Sequence, residues 1–157
     1  MDGVRIERID PASADAQQLL TRFADEIVSL FPGFELAGGV PTSDDDFRPP
    51  RGAFLAAYLD RAPVGCGSLR RLDAATAEVK RMWVDPAVRG RGVGRRLLTA
   101  LEAGAAGLGC RVVRLDTHGQ LAVAVAMYRS SGYTEIPAYN DNGYAALWME
   151  KALPARS

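Results

Sequence analysis

Apolar side chains recur every second residue in some stretches of this chain and every three to four in others. Val4 to Ile9 alternates apolar and charged positions over a short run, as an opening strand near a sheet edge does. The period then changes. Leu19, Leu20, Phe23, Ile27, Leu30 and Phe31 share one helical face, Asp10 or Ser13 is placed to cap that helix, and Pro32-Gly33 stops it. From Glu35 to Arg51 there is no period. Gly38-Gly39, Pro41, Asp44-Asp45-Asp46 and Pro49-Pro50 all interrupt regular structure, and a loop of this length in a compact domain is often a lid or a binding wall.

Period two returns at Ala53 to Leu59, Val64 to Leu72 and Glu78 to Val84, with turns at Asp60–Pro63 and Asp73–Thr76, predicting an antiparallel meander of three strands. Gly65 and Gly67 flank Cys66, which implies a close backbone approach or a bulge. A helix beginning near Gly92 carries Val93, Leu97, Leu98, Leu101, Ala105 and Leu108 on one face and ends at Gly107 to Gly109. Val112 to Leu115 reads as a short central strand, Leu121 to Ser130 as a helix, and Tyr133 to Ile136 and Ala145 to Glu150 as the last strands, around the turn-rich loop Pro137 to Gly143. The predicted fold is α/β with a mixed sheet and helices on both faces, in a single domain over residues 1–157.

Composition narrows the function by exclusion. The 157 residues are 48% hydrophobic and 24% charged, with a formal net charge of zero, so a general polyanion binder is not expected and nucleic acid is an unfavoured partner. Two cysteines without CxxC spacing and one histidine favour buried thiols and no metal site. No run is long enough to span a bilayer and the start has no apolar signal region, so a cytoplasmic location away from membranes is the default expectation.

Against that neutral background, Arg89, Arg91, Arg95 and Arg96 form a local patch in the run DPAVRGRGVGRRLL. A glycine-rich loop entering a helix N-terminus binds phosphate, because the backbone can come close, N–H groups converge and the helix dipole is positive there. The P-loop pattern fails, since Gly94 is followed by Arg95-Arg96 and not by lysine and a hydroxyl. The dinucleotide pattern GxGxxG fails too, because Gly90 and Gly92 put Arg95 at its third glycine. Arg-x-x-Gly-x-Gly fits as Arg89, Gly92 and Gly94.

With Val84-Asp85-Pro86 before this loop, Leu97-Leu98 in the helix after it, and then Ala124, Met127-Tyr128 and Ser131-Gly132-Tyr133, the chain resembles the GNAT superfamily of acyl-CoA-dependent N-acetyltransferases. The resemblance is strongest over residues 52–136. It implies a mostly antiparallel central sheet splayed between its fourth and fifth strands. It also implies acetyl-CoA as cosubstrate, with its pyrophosphate on the backbone of Arg89, Gly90, Arg91, Gly92, Val93, Gly94 and Arg95, and its pantetheine arm beside Met82, Trp83 and Val84.

The resemblance further implies direct attack by a primary amine on the thioester. Tyr128 matches the tyrosine that donates a proton near the sulfur, and the Met82 N–H would help polarise the carbonyl. Relatives often carry a carboxylate in mid-strand, where this chain has Lys80 and Arg81. Glu78, on the face shared by Lys80, Met82 and Val84 if alternation holds, is the candidate base or else the partner of Lys80 in an ion pair; Val79, Arg81 and Trp83 would face the other way. Leu121 stands where relatives often have an asparagine. His118 and Gln120 lie in the same loop as candidates to replace it, and His118 is either a proton carrier or, as the favoured expectation, an exposed loop residue.

The resemblance also implies an acceptor site built by Phe31 to Phe47 and by Tyr139 to Asn142. There Asp44 to Asp46 would suit a cation and Arg70 or Arg71 a carboxylate. A small-molecule or amino-acid-like amine is the expected acceptor. A protein amine, or a non-catalytic acyl-CoA-binding module, is the alternative. Exposed strand edges leave a homodimer open.

Overall fold

The structure, a computed structural model, describes residues 3–33, 41–118 and 121–154. In chain order these hold β1 (Val4–Ile9), α1 (Ala14–Leu30), β2 (Gly52–Leu59), β3 (Ala62–Arg71), β4 (Thr76–Val84), α2 (Val93–Gly107), β5 (Val112–Thr117), α3 (Ala122–Ser130), β6 (Thr134–Ile136) and β7 (Leu147–Ala152), with 3-10 turns at Asp44–Phe47 and Pro86–Val88. The strands form one sheet in the order β1-β2-β3-β4-β5-β7-β6. Every neighbouring pair is antiparallel except β4 and β5, which run parallel. Among the described residues no helix is long and apolar enough to cross a membrane.

Two apolar layers sandwich the sheet. On one side Leu97, Leu98 and Leu101 of α2 pack on Leu55, Leu69 and Val79, with Tyr128 of α3 and Tyr133 in the same cluster. On the other, Ala16, Leu19 and Leu20 of α1 pack on Phe54, Ala56, Tyr58, Cys66 and Trp83. Each leucine buried in this way contributes about 1.5–3 kcal/mol. The expected helical faces are the buried ones, apart from Leu30, which is exposed at the end of α1. Ser13 is the cap of α1, accepting from Ala16 N at 3.3 Å, while Asp10 turns back to Ala12 N.

Gly65 and Gly67 do both things expected of them. A Cβ on Gly67 would stand 2.7 Å from Leu101 Cδ1, so the missing side chain lets α2 lie on the sheet. Opposite Gly67 the register slips: Cys66 pairs with Trp83 and Ser68 with Lys80, leaving Arg81 and Met82 against one residue. Arg81 has a left-handed backbone, φ 56°. This bulge corrects the alternation expected along β4. Val79, Met82 and Val84 pack against the α2 layer, whereas Glu78 and Lys80 share the α1 side with Arg81, over the Phe47 ring, and with Trp83.

The parallel ladder between β4 and β5 runs only from Thr76↔Val112 to Val79↔Leu115. Both strands continue, β4 to Val84 and β5 to Thr117. Beyond Val79 they part, and among the described residues no strand lies beside the β5-facing backbone of Lys80 to Val84.

Of the expected irregular stretch Glu35 to Arg51, residues 41–51 are described. Residues 34–40, with Gly38-Gly39, lie outside the described residues. The acidic run that follows is the first turn of a 3-10 segment capped by Ser43, with Asp45 paired to Arg48.

Candidate active site

The parting of β4 and β5 opens a cavity of about 160 Å³. Val79, Lys80, Arg81 and Met82 form one wall, Asp116, Thr117 and His118 the facing one. Tyr128, Ala124 and Leu121 close it from α3, Phe23, Ile27 and Phe31 from α1, and Asn142, Tyr144 and Ala145 from the loop before β7.

Tyr128 is buried, and among the described residues its hydroxyl takes no hydrogen bond. Burial first, then the charge of Asp116, raises its pKa well above the ordinary tyrosine value of 10.0. The phenol at this cavity wall therefore keeps its proton at neutral pH. Met82 lies on the same cavity, so the structure brings these two expected residues together.

Glu78 is not among the residues that line the cavity. It is fully buried in β4 and its carboxylate is engaged on both oxygens. Oε1 accepts from Arg70 Nε at 2.8 Å and lies 3.5 Å from Lys80 Nζ, and Oε2 accepts from the Tyr139 hydroxyl at 2.6 Å. Trp83 also turns its side chain away, into the α1 layer, where its indole lies under the Arg22 guanidinium at 4.6 Å.

The glycine-rich loop sits at the entrance to α2. Gly90 and Gly92 both have left-handed backbones, φ 80° and 83°, a conformation that strains other residues. A Cβ at either would meet nothing within 4 Å, so the loop backbone faces open space. Gly92 is the N-cap of α2, and among the described residues no side chain caps its first turn. Clear N–H groups at a helix N-terminus, with glycines below, fit a pyrophosphate. Not all the arginines face it. Arg89 Nε donates to Val84 O at 2.8 Å and its Nη2 to both oxygens of Glu26 at 2.7 Å, which staples the loop to α1. Arg95 reaches Ser130 and Ser131 at the end of α3. Arg91 is exposed.

His118 is not the exposed loop residue expected. It is half-buried, its ring stacks on Phe31 at 3.8 Å, and Nδ1 is buried with no partner among the described residues. Gln120 lies outside the described residues. Of the acceptor loop Tyr139 to Asn142, Asn142 lines the cavity. Tyr139 turns to Glu78, and Asn140 bridges Asp116 and the Trp148 indole. Arg70 is taken by Glu78, and Arg71 donates to Ala74 O and Leu108 O.

Asp116 and Arg81 are cavity residues whose sequence signals were weak. Asp116 is the acid within the short strand β5, where the sheet opens. Gly67 marked a bulge, but nothing in the residue string shows that the extra residue is Arg81 on the facing strand.

Comparison with known proteins adds an independent line. The sequence profile of the Acetyltransferase (GNAT) family matches residues 20–133. An IAA acetyltransferase from Azospirillum brasilense is 31% identical over 158 residues, covering 98% of this chain and all of that protein. The N-alpha-acetyltransferase RimI of Mycobacterium tuberculosis is 36% identical over 114 residues, 65% of this chain and 70% of that one. A GNAT family acetyltransferase from Elizabethkingia anophelis, crystallised with acetyl-CoA, superposes with a TM-score of 0.69 at 18% identity, covering 98% of this chain and 100% of that one. A profile match over most of the chain and a relative aligned nearly end to end make this protein a member of the GNAT family, an acetyl-CoA-dependent acyltransferase.

Proposed function

We propose that the protein transfers the acetyl group of acetyl-CoA to a primary amine of a small molecule. One observation carries this reading: the cavity at the parting of β4 and β5 joins Met82 and Tyr128 to a wall of charged side chains from both strands. When bound, the cosubstrate supplies an activated thioester. The backbone of Arg89 to Arg95 holds its pyrophosphate, and the open edge of β4 at Met82, Trp83 and Val84 lies along its pantetheine arm. Gly94 keeps room there, since a Cβ would stand 3.1 Å from Met127 Sδ of α3. The Met82 N–H stabilises charge on the carbonyl oxygen, and Tyr128 donates a proton to the leaving sulfur.

The amine must lose a proton. Glu78, the base expected from the strand, is enclosed by Arg70, Lys80 and Tyr139, and we assign it the task of fixing those side chains. Asp116 lines the cavity and acts on Tyr128, so it takes the proton in this reading.

The test is thiol release from acetyl-CoA across a panel of amines. Transfer to small amines supports the proposal, and coenzyme A binding without transfer to any amine supports a binding module instead. A protein amine is the second reading, favoured by the RimI relative; a panel of peptide N-termini acetylated faster than every small amine would establish it.

A further inference from the structure

About half of the described basic side chains, and most of the half-buried ones, are paired with acids. Arg22 meets Asp85, Arg48 meets Asp10 and Asp45, Arg89 meets Glu26, Arg114 meets Glu150, and Arg70 and Lys80 share Glu78. Arg81 is different. It lines the cavity, is half-buried, and among the described residues has no ion pair. Its Nη2 donates to Thr42 Oγ1 at 3.1 Å and its guanidinium lies 5.4 Å from the centre of the Phe47 ring.

A guanidinium has five N–H donors, and this one uses a single protein acceptor. Partial burial of an unpaired cation is costly, and desolvation lowers the Arg81 pKa; exposed Asp44 pulls it back only at longer range. The bulge adds backbone strain in the same residue, and strain held in place at a cavity wall points to use.

On this wall of the cavity Lys80 and Arg81 are both cations. Lys80 and Arg70 share the single carboxylate of Glu78, and Asp44 acts on Arg81 without pairing with it. The acid facing Lys80 and Arg81 across the cavity is Asp116, on β5. The cavity therefore has a cationic wall and an acidic wall.

We propose that the acceptor is an amine that carries its own carboxylate, which Arg81 receives with Lys80 beside it while the amine lies toward Asp116 and Tyr128. This rests on the transfer reading above and names its substrate class: free amino acids or close analogues. It ranks a peptide N-terminus, with no carboxylate near its amine, below them. Arg81 is then the specificity residue, in the place expected for Arg70 or Arg71.

The experiment uses matched sets, each an amino acid, its amide and its decarboxylated amine, spanning small, aliphatic and aromatic side chains. Thiol release from acetyl-CoA is followed with the wild type, Arg81→Gln and Arg81→Lys. In parallel, calorimetry measures binding of N-acetyl amino acids and their amides to the coenzyme A-loaded protein. The expected result is a kcat/KM for the acid at least about tenfold above its amide, the scale of a charge-assisted hydrogen bond. Arg81→Gln should collapse that preference through KM for the acid, and Arg81→Lys should restore part of it. Acetyl-CoA affinity checks that each variant is intact. Equal use of acid and amide by the wild type, or a preference that survives Arg81→Gln, overturns the proposal. If nothing is acetylated but N-acetyl amino acids bind and their amides do not, the transfer reading falls and the anion site stands. If neither transfer nor binding depends on the carboxylate, the anion site falls.

Discussion

Tyr139 donates its hydroxyl to Glu78 Oε2 at 2.6 Å, which fastens the loop before β7 to the middle of β4. The other oxygen of Glu78 serves Arg70 and Lys80, so a fully buried carboxylate holds three side chains from three segments. Glu78→Gln removes its charge and leaves two buried or half-buried cations unpaired. Breaking such a network costs about 3–5 kcal/mol. Urea denaturation should show that loss in Glu78→Gln, while Asp116→Asn should stay near wild-type stability and lose turnover by about 100-fold, the scale of general acid–base catalysis. The reverse pattern would return the base to Glu78.

Tyr128→Phe tests the proton donor. Turnover should fall by about 100-fold while acetyl-CoA affinity holds within about twofold, because the phenol acts on the leaving group and not on the bound ground state. Single-turnover kinetics with the best acceptor separates the two. Unchanged turnover would make Tyr128 a packing residue of the α2 layer.

The loop has its own test. Gly92→Asp puts a β-carbon on a left-handed backbone and a negative charge where phosphate is to bind, and Gly94→Glu pushes into Met127. Calorimetry should show coenzyme A affinity reduced by more than about tenfold in each, with circular dichroism unchanged. Retained affinity would mean that the phosphate lies elsewhere.

Alkaline pH should destabilise the fold. Burial raises the hydroxyl pKa of Tyr58, Tyr128, Tyr133 and Tyr139 above 10.0, that of Tyr58 to about 12 with Asp15 adding to it. Above pH 10 the unfolded chain loses these protons first, so it binds fewer than the native state and stability falls as pH rises. Below pH 10 the stabilisation from the phenols is fully present. The buried thiols of Cys66 and Cys110, also raised by burial from 9.0, start the same loss near pH 9, so the denaturation midpoint should begin to decline there and fall further from 10 toward 12, less steeply in Tyr58→Phe. A flat profile through pH 11.5 would contradict the burial of these phenols.

The parts readable from sequence were those set by local chemistry. Ser13 is a short oxygen-bearing side chain just before an apolar face, and it caps α1. Gly65 and Gly67 are small because α2 lies against them, and Gly90 and Gly92 because their backbones are left-handed. Period two, however, carries no sign of where it breaks. The bulge at Arg81 depends on the strand opposite, and one slipped residue moved Met82 and Val84 to the α2 side and Arg81 to the α1 side. Tyr139 and Glu78 are 61 positions apart, and the Phe31–His118 stack joins α1 to the end of β5. Such pairs follow from the assembled sheet, which no local window contains.

The left-handed backbone at Arg81 also bears on how this protein would respond to selection in the laboratory. Arginine at φ 56° is less comfortable than glycine, which has no β-carbon, or asparagine, whose short side chain bonds the local backbone, and its half-buried cation adds to the cost. A library screened for heat resistance alone should therefore enrich Gly or Asn at position 81. Those winners would be robust, soluble and poor at choosing a substrate, because the least comfortable residue of the cavity is the one that recognises the acceptor.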